Sequence, residues 1–375
     1  MVIGILKERF EDEQRVALSP FGVESLVQSG AQVIIESGAG DHARFSDEQY
    51  QKAGADIAYS PEEAAGRGDI VLKVMPPLKN EWEMLPDGKI FMSFQLLGMG
   101  RRQFVDHLLE KKITSVAFEL LRTTAEHYPV QVLMSEVSGQ VAAQIAGRYL
   151  RSDHGGRGVL LGGLGGIAPA AVVILGAGAS GMAAAQAILG LGGQVILLDK
   201  DLERLRYADM YFNKRITTVM ATPENLRRGC RIADVFIGAI SINDSESHHM
   251  ITEDMVKTMK PGAVVVDISI NQGGCLETSR PTTIKDPVFE KHGVIHYCVP
   301  NMPSVVARTS TYALTNVLLP YLKALIPDGF DAEKDTDPCV RCGVVTWDGN
   351  PTHQILQDVY GMEFDPFDCC EQHSK

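Results

Sequence analysis

Short apolar runs recur along the chain, separated by amphipathic or turn-rich stretches, in a strand–helix–strand rhythm. Residues 2–6 form a run of the buried-strand type. Ser19-Pro20 predicts a helix start, with Ser19 as N-cap and Pro20 in the first turn, and the helix runs to about Ser29 before Gly30 ends it. Strands follow at 32–36, 70–75, 89–95 and 113–119, the middle two each preceded by a helical segment. An Ala- and Val-rich helix is predicted over about 135–150, followed by a glycine-dense run at 155–166. Such density marks a hinge, a close backbone approach to a ligand, or a flexible linker. From Ala171 onward the rhythm resumes. A strand at 172–175 leads through a turn at 176–181 into a helix at 182–191 and a strand at 194–199. Further strands fit at 235–239, 263–268 and 294–298, and helices at about 310–324 and 353–359. Strands alternating with helices imply parallel sheets covered on both faces.

Composition narrows the function classes. The 375 residues exceed what one hydrophobic core usually serves, so two domains are expected. A hydrophobic share of 45% with 22% charged residues excludes wholesale disorder. The net charge of −12 argues against a broad nucleic-acid surface. The most apolar stretch is broken by glycines and a proline and is too short to span a bilayer, so no membrane partner is expected. The N-terminal MVIGILKER has neither the charged region nor the cleavage site of a signal peptide. The expected compartment is the cytoplasm, with the seven cysteines as reduced thiols or ligands.

The sharpest motif is VVILGAGASG. Gly176, Gly178 and Gly181 fit G-x-G-x-x-G between a predicted strand and helix, with Ala179 and Ser180 in the same turn. The first glycine permits the tight turn, the second admits a pyrophosphate, and the third lets helix and strand approach. The phosphates would sit at the helix N-terminus, where free N–H groups favour negative charge. Asp199 ends the next strand, 18 residues after Gly181. A carboxylate there accepts hydrogen bonds from ribose hydroxyls and repels a 2′-phosphate, which favours NAD over NADP; the adjacent Lys200 weakens that discrimination.

Other polar residues stand near predicted strand ends. Arg15 lies in a charged loop; composition alone reads it as solvated, whereas its fork suits a carboxylate. Lys73 interrupts an apolar strand, so it is either paired or aimed into a cleft, or at an edge with its ammonium reaching water. Gln95 ends the strand FMSFQ, where open α/β sheets place ligands. Lys7, Glu119, His248 and His249 are further titratable candidates.

Over nearly the whole chain these residues resemble alanine dehydrogenases, whose fold recurs in the NAD-binding subunit of proton-translocating transhydrogenases. The segments MVIGILKERFEDEQRVALSP, MSEVSGQVAAQIA, VVILGAGASG, MKPGAVVVDISINQGGCLETSRPTT and HGVIHYCVPNMPSVVARTSTYALTN carry the likeness, and the CLETSRPTT run favours the dehydrogenase branch. The resemblance implies an α/β protein of two doubly wound Rossmann-like domains with an interdomain cleft. The NAD-binding domain, 131–304, would be inserted in a substrate domain made of 1–130 and 305–375. It further implies oxidation of L-alanine to pyruvate and ammonia with NAD, in a hexamer or dimer. Arg15 matches the arginine that binds the substrate carboxylate. Ser135, Ala239, Ile240, Asn271, Asn301 and Met302 would surround the cofactor.

The family's acid/base set does not carry over. Its lysine, histidine and aspartate match Met75, Leu96 and Asn271 of this chain, which with Arg15 are expected to line the substrate pocket. Acid/base catalysis is worth about 10²–10⁴-fold, so its loss without replacement should nearly silence the usual reaction. Strand alternation would point Lys73 the same way as Met75, and Lys73, Gln95 and Glu119 are the candidate replacements. The expected activity is an NAD-dependent amino-acid dehydrogenase with an altered substrate or catalytic set. The rivals are an NAD-binding sensor or regulatory protein without turnover and an oxidoreductase for an imine or less polar substrate. In the tail, Cys339 and Cys342 have metal-ligand spacing, with Cys369, Cys370 and His373 as partners, but the family carries no metal there. No metal is expected, and these cysteines read as surface thiols.

Overall fold

The computed structural model describes residues 1–10, 12–123, 127–241, 249–327, 329–330 and 337–367. The chain divides into two compact units, one of residues 1–134 with 306–375 and one of 135–305. The described strands are β1 (Val2–Ile5), β2 (Gln32–Glu36), β3 (Asp56–Ala58), β4 (Ile70–Leu72), β5 (Ile90–Ser93), β6 (Thr114–Ala117), β7 (Ala171–Leu175), β8 (Gln194–Asp199), β9 (Thr217–Met220), β10 (Val235–Gly238), β11 (Val264–Asp267), β12 (Val288–Lys291), β13 (Val294–Tyr297), β14 (Val344–Trp347) and β15 (Asn350–Pro351).

The first unit holds the sheet β15-β14-β6-β5-β4-β1-β2-β3. Its six N-terminal strands are parallel and follow the doubly wound order 3-2-1-4-5-6. The returning C-terminal segment adds β14 and β15 antiparallel at the β6 edge. Alternation along the strands feeds two cores. Ile3, Ile5, Val33, Ile35, Ile70 and Leu72 face one cluster; Ile34, Val71 and Phe91 face the other, with Trp82 and Phe104. The helix Pro20–Gln28 begins as its sequence predicts, with the Ser19 hydroxyl accepting from Gly22 N–H at 3.3 Å and Pro20 in the first turn. The helix Ala307–Leu325 buries Leu314, Leu318 and Leu322 in the same core. Its Thr311 and Thr315 hydroxyls accept from the N–H groups of Val16 (3.2 Å) and Ser19 (2.8 Å), so it braces the loop that carries Arg15.

The second unit holds the sheet β12-β13-β11-β10-β7-β8-β9. The strands from β9 to β13 are parallel in the same 3-2-1-4-5-6 order, and β12 closes the far edge antiparallel. Val173, Leu175, Phe236 and Val265 stack in one core with Met255 and Val256.

The sequence reading needs correction at three places. The strand expected at 70–75 ends at Leu72, because the N–H groups of Val74 and Met75 leave the ladder for the Glu8 carboxylate. The helix expected from about 135 spans Pro129–Tyr149. The glycine run is folded chain rather than linker: Leu164 and Ile167 exchange both backbone hydrogen bonds around Gly165-Gly166, at 3.1 and 2.9 Å. Among the described residues, no helix is long and apolar enough to cross a membrane.

Candidate functional site

Each sheet reverses its strand order at one point, between β1 and β4 in the first unit and between β7 and β10 in the second. In open α/β sheets ligands bind outside the carboxyl ends of the strands at that point. The residues singled out from the sequence fall into two groups, one at each reversal.

In the second unit, β7 runs into the glycine turn and the helix Ala179–Gly190. Gly176 has φ +109°, and a Cβ there would lie 2.3 Å from the Ala239 carbonyl oxygen. A Cβ on Gly181 would lie 1.8 Å from the Gly176 oxygen, so helix and turn can meet only around a glycine. A Cβ on Gly178 would meet nothing within 4 Å; that side of the turn is open. Gly178 is the N-cap and brings no side chain, so the amides of the first helical turn around Ala179 and Ser180 form a donor set suited to a pyrophosphate. Asp199, nearly buried at the end of β8, accepts from Ala177 N–H at 2.6 Å and from Asp201 N–H at 2.8 Å. Its carboxylate thereby ties the β8 end to the glycine turn. These features fit a dinucleotide.

Around this turn, Ala239 N–H continues the ladder to Leu175 O, and Ile240 exchanges hydrogen bonds with the Ser269 hydroxyl at 3.1 and 2.8 Å. Asn271 Oδ1 accepts from Asn301 N–H at 3.3 Å, and Asn301 itself adopts φ +57°, a region asparagine tolerates. Met302 is buried, and Ser135 is half-buried in the helix Pro129–Tyr149. The sequence reading missed Asp267. Fully buried at the end of β11, it accepts from Ser269 N–H (3.0 Å), Cys275 N–H (2.9 Å) and the Ser279 hydroxyl (2.6 Å), and so shapes the loop carrying Asn271. Burial raises its pKa above the ordinary carboxyl value. The sign available in the sequence was an aspartate ending a run of valines.

In the first unit, Arg15 is 3% exposed, so the solvated reading is wrong. Glu13 accepts from its Nε at 2.8 Å and its Nη2 at 2.7 Å, a bidentate pair on one edge of the guanidinium. Among its neighbours are two thioethers and a ring: Met134 Sδ is 3.2 Å from Nη1, Met75 Sδ is 3.8 Å from Nη2, and the Phe94 ring centroid is 5.8 Å from Cζ.

Lys73 follows β4, a central strand, and is fully buried rather than reaching water from an edge. Its Nζ lies 2.7 Å from Glu81 Oε1 and 3.5 Å from Glu8 Oε2, and donates to Lys7 O at 3.3 Å. The expected shared orientation of Lys73 and Met75 fails, because the chain leaves the strand at Leu72. Met75 packs with Ile70 and Leu72, whereas Lys73 meets Glu81 beside Trp82 in the opposite core. Glu8 Oε1 accepts from Val74 N–H at 2.6 Å and Oε2 from Met75 N–H at 3.3 Å. Burial raises the Glu8 pKa to about 7, against the opposing pull of Lys73. The cluster continues through Arg9, which pairs with Glu36 and lies 3.5 Å from Glu81. Sequence reasoning missed Glu8, Glu13, Glu81 and Met134; only the strand order makes the loop after β1 and the end of β4 neighbours.

Gln95 is fully buried, with Nε2 donating to the Ser115 hydroxyl. Its Oε1 has no hydrogen-bond partner among the described residues. Leu96 adopts φ +48°, a left-handed conformation that costs a leucine about 1 kcal/mol or more. Glu119 holds that bend, accepting from Leu96 N–H at 2.7 Å and from Gln95 N–H at 3.0 Å. Burial raises the Glu119 pKa above the usual carboxyl range.

Lys7 uses its backbone N–H on Glu36, and His249 is exposed with Nδ1 3.1 Å from Gly274 O. Cys339 and Cys342 are buried in the short helix Pro338–Gly343, not surface thiols. His248, Cys369, Cys370 and His373 lie outside the described residues. Among the described residues, no three His, Cys, Asp or Glu side chains come together as for a metal ion.

Comparison with known proteins agrees with this two-sheet α/β fold. The alanine dehydrogenase/PNT N-terminal domain matches residues 4–138 and the C-terminal domain matches residues 142–354. An alanine dehydrogenase of Methanococcus maripaludis is 39% identical over 367 residues, 98% of each chain. One from Mycolicibacterium smegmatis is 38% identical over 368 residues, again 98% of each chain. A solved L-alanine dehydrogenase superposes with a TM-score of 0.91 at 36% identity, covering 96% of this chain and 99% of that one. A transhydrogenase from Sinorhizobium meliloti shares the fold, with a TM-score of 0.81 at 21% identity, over 94% of this chain and 100% of that one. With both family domains matched in order and full-length relatives well above the level at which fold and ancestry are shared, this chain belongs to the alanine dehydrogenase/PNT family.

Proposed function

We propose that this protein is an NAD-dependent oxidoreductase interconverting a 2-amino acid and its 2-oxo acid, with a catalytic set altered from that of its alanine dehydrogenase relatives. The observation that carries the reading is Arg15, a buried guanidinium among Met75, Met134 and Phe94, in a chain whose second unit retains the dinucleotide frame around Gly176, Gly178, Gly181 and Asp199. Glu13 holds one edge of Arg15 and fixes the orientation of its planar fork, a geometry that suits a substrate carboxylate. NAD supplies the hydride acceptor when bound. Arg15 orients the substrate carboxylate, and Met75 and Leu96 exclude water from the reacting carbon. Glu119, whose carboxyl pKa burial raises above the usual range, is the candidate carboxyl group for proton transfer. Gln95, whose backbone N–H donates to Glu119, supports it as an amide, Lys73 is engaged by Glu81 and Glu8, and Asn271 offers hydrogen bonds but no exchangeable charge. Cytoplasmic location and self-association belong to the same reading.

The test is NADH formation by the intact protein across the amino acids at alkaline pH. L-Alanine should turn over far below the roughly 10 s⁻¹ median of enzymes, and an amino acid with a larger apolar side chain should do better. Arg15→Lys should cost tenfold or more in kcat/KM, since an ammonium lacks the fork. NAD binding with no turnover on any amino acid would favour the sensor reading instead.

A further inference from the structure

The glycine turn follows β7 and Asp199 ends β8, so both stand on one side of the point where the strand order of the second unit reverses. A doubly wound dinucleotide frame is built of two mononucleotide halves, and the other half belongs to the carboxyl ends of β10 and β11. Past β11 the chain makes one short helical turn, Ile268–Gln272, and continues as loop through Ser279. The Asp267 carboxylate shapes this loop. Its Oδ1 accepts from Ser269 N–H at 3.0 Å, and its Oδ2 accepts from Cys275 N–H at 2.9 Å and from the Ser279 hydroxyl at 2.6 Å. The backbone is closed around the buried group: a Cβ on Gly238, at the end of β10, would lie 3.0 Å from Oδ1, and one on Gly274 would lie 2.8 Å from Oδ2. Burying a carboxylate is costly, and a packed apolar side chain would hold a loop with less penalty. What the carboxylate adds is direction, since donors from three places in the chain converge on one group.

We propose that Asp267 is a positioning residue for the nicotinamide half of the cofactor site, acting through Ser269 on the segment Ala239-Ile240. This rests on the dinucleotide reading of the second unit. By holding Ser269 N–H, the carboxylate sets the Ser269 hydroxyl, which accepts from Ile240 N–H at 3.1 Å and donates to Ile240 O at 2.8 Å. That segment backs onto the glycine turn, where a Cβ on Gly176 would lie 2.3 Å from Ala239 O and 3.1 Å from Ile240 Cγ2. On its other side the carboxylate holds Cys275 and Ser279 and so closes the loop that carries Asn271, whose Oδ1 accepts from Asn301 N–H at 3.3 Å. One buried group thereby ties the carboxyl ends of β10 and β11 into a single wall beside the glycine turn. The adenosine side is fastened separately, by Asp199 on the N–H groups of Ala177 and Asp201. Each half of the frame has its own carboxylate, so each can be loosened without the other.

The experiment is calorimetry of NAD and of ADP binding to the full chain and its variants. ADP carries the adenosine and two phosphates and lacks the nicotinamide riboside. In Asp267→Asn the amide NH2, whichever way it turns, meets a backbone N–H, that of Ser269 or that of Cys275. The NAD Kd should rise about tenfold or more, the worth of a hydrogen bond to a charged group, while the ADP Kd stays within about twofold. Ser269→Ala keeps the carboxylate and removes only the bridge to Ile240; it should weaken NAD by about three- to tenfold and again spare ADP. Asp199→Ala, on the other half, should weaken both ligands. Equal losses of NAD and ADP affinity in Asp267→Asn would mark a general loosening and overturn the role of Asp267. Unchanged NAD binding in Ser269→Ala overturns it too, and decides the matter if Asp267→Asn does not fold. NAD that fails to bind the intact chain overturns the dinucleotide reading and this inference with it, whereas NAD bound equally by the intact chain and both variants overturns the role of Asp267 alone.

Discussion

Asp199 works twice with one carboxylate. Its oxygens fasten the glycine turn through Ala177 N–H and its own loop through Asp201 N–H. The lone pairs left over suit a ribose hydroxyl, and the charge repels a 2′-phosphate. Asp199→Ala should weaken NAD binding by about 10–100-fold, the worth of hydrogen bonds to a charged group. Because the repulsion of a 2′-phosphate is lost as well, NADP binding falls less than NAD binding, and the ratio of the two Kd values moves toward one. Titrations with both nucleotides check this, and an unchanged ratio would leave Asp199 as a fastening group alone. Its position was legible as an acidic residue ending the second strand of a G-x-G-x-x-G unit. Its hold on the turn was not, since a hydrogen bond across 22 residues has no local pattern.

At the scale of elements, the strand–turn–helix over Ala171–Gly190 separates glycines that close packing requires from one that faces open space. Gly178 has φ −78° and open space where a Cβ would go, so Gly178→Ala should leave stability within about 0.5 kcal/mol or raise it slightly. Nucleotide binding should fall at least tenfold, because the methyl group stands where the pyrophosphate approaches. Gly181→Ala forces a carbon into the Gly176 carbonyl and should destabilise by about 1–3 kcal/mol. Denaturation midpoints and NAD titrations on the two variants distinguish these outcomes. Equal loss of stability in both would show that the motif is only structural. The helix Pro20–Gln28 was equally plain in sequence, since its cap and proline act within a single turn. The end of β4 was not, because the Glu8 carboxyl that takes the N–H groups of Val74 and Met75 lies 66 residues earlier.

For the whole molecule, buried titratable groups set the response to acid. Burial lowers the His296 and His353 pKa values to about 4. His296 lies between Thr278 and Val294 O, stacked on Phe289, and His353 caps the helix Gln354–Tyr360 through Nδ1. In the unfolded chain each titrates near 6.5, so between about pH 6.5 and 4 the unfolded state binds more protons and stability falls as pH drops. The slope reaches about 1.4 kcal/mol per pH unit for each histidine. Glu8 acts in the opposite sense. Its folded pKa of about 7 lies above the ordinary 4.5, so its contribution is fully present at low pH and is lost as pH rises toward 7. His296→Gln should therefore flatten the acid limb of a denaturation-midpoint profile, and Glu8→Gln should steepen it. Parallel profiles for both variants and the parent would show that neither residue differs in pKa between the folded and unfolded states.

The sequence by itself determined what depends on neighbours along the chain. Apolar runs became strands, Ser19-Pro20 became a cap, and three glycines at fixed spacing became a tight strand-to-helix turn, because each acts within a few residues. The expectation that Met75, Leu96 and Asn271 stand where the family has a lysine, a histidine and an aspartate also came from a comparison of residue types along the chain. Tertiary structure alone decided that Arg15 is buried on Glu13 and two thioethers, that Lys73 turns away from Met75 to Glu81, and that Glu8 reaches the end of β4. The last two follow from the order 3-2-1-4-5-6, which sets β4 beside β1 across more than sixty residues. Charges brought together in that way are balanced by spatial neighbours, and the chain sequence carries no local record of who those neighbours will be.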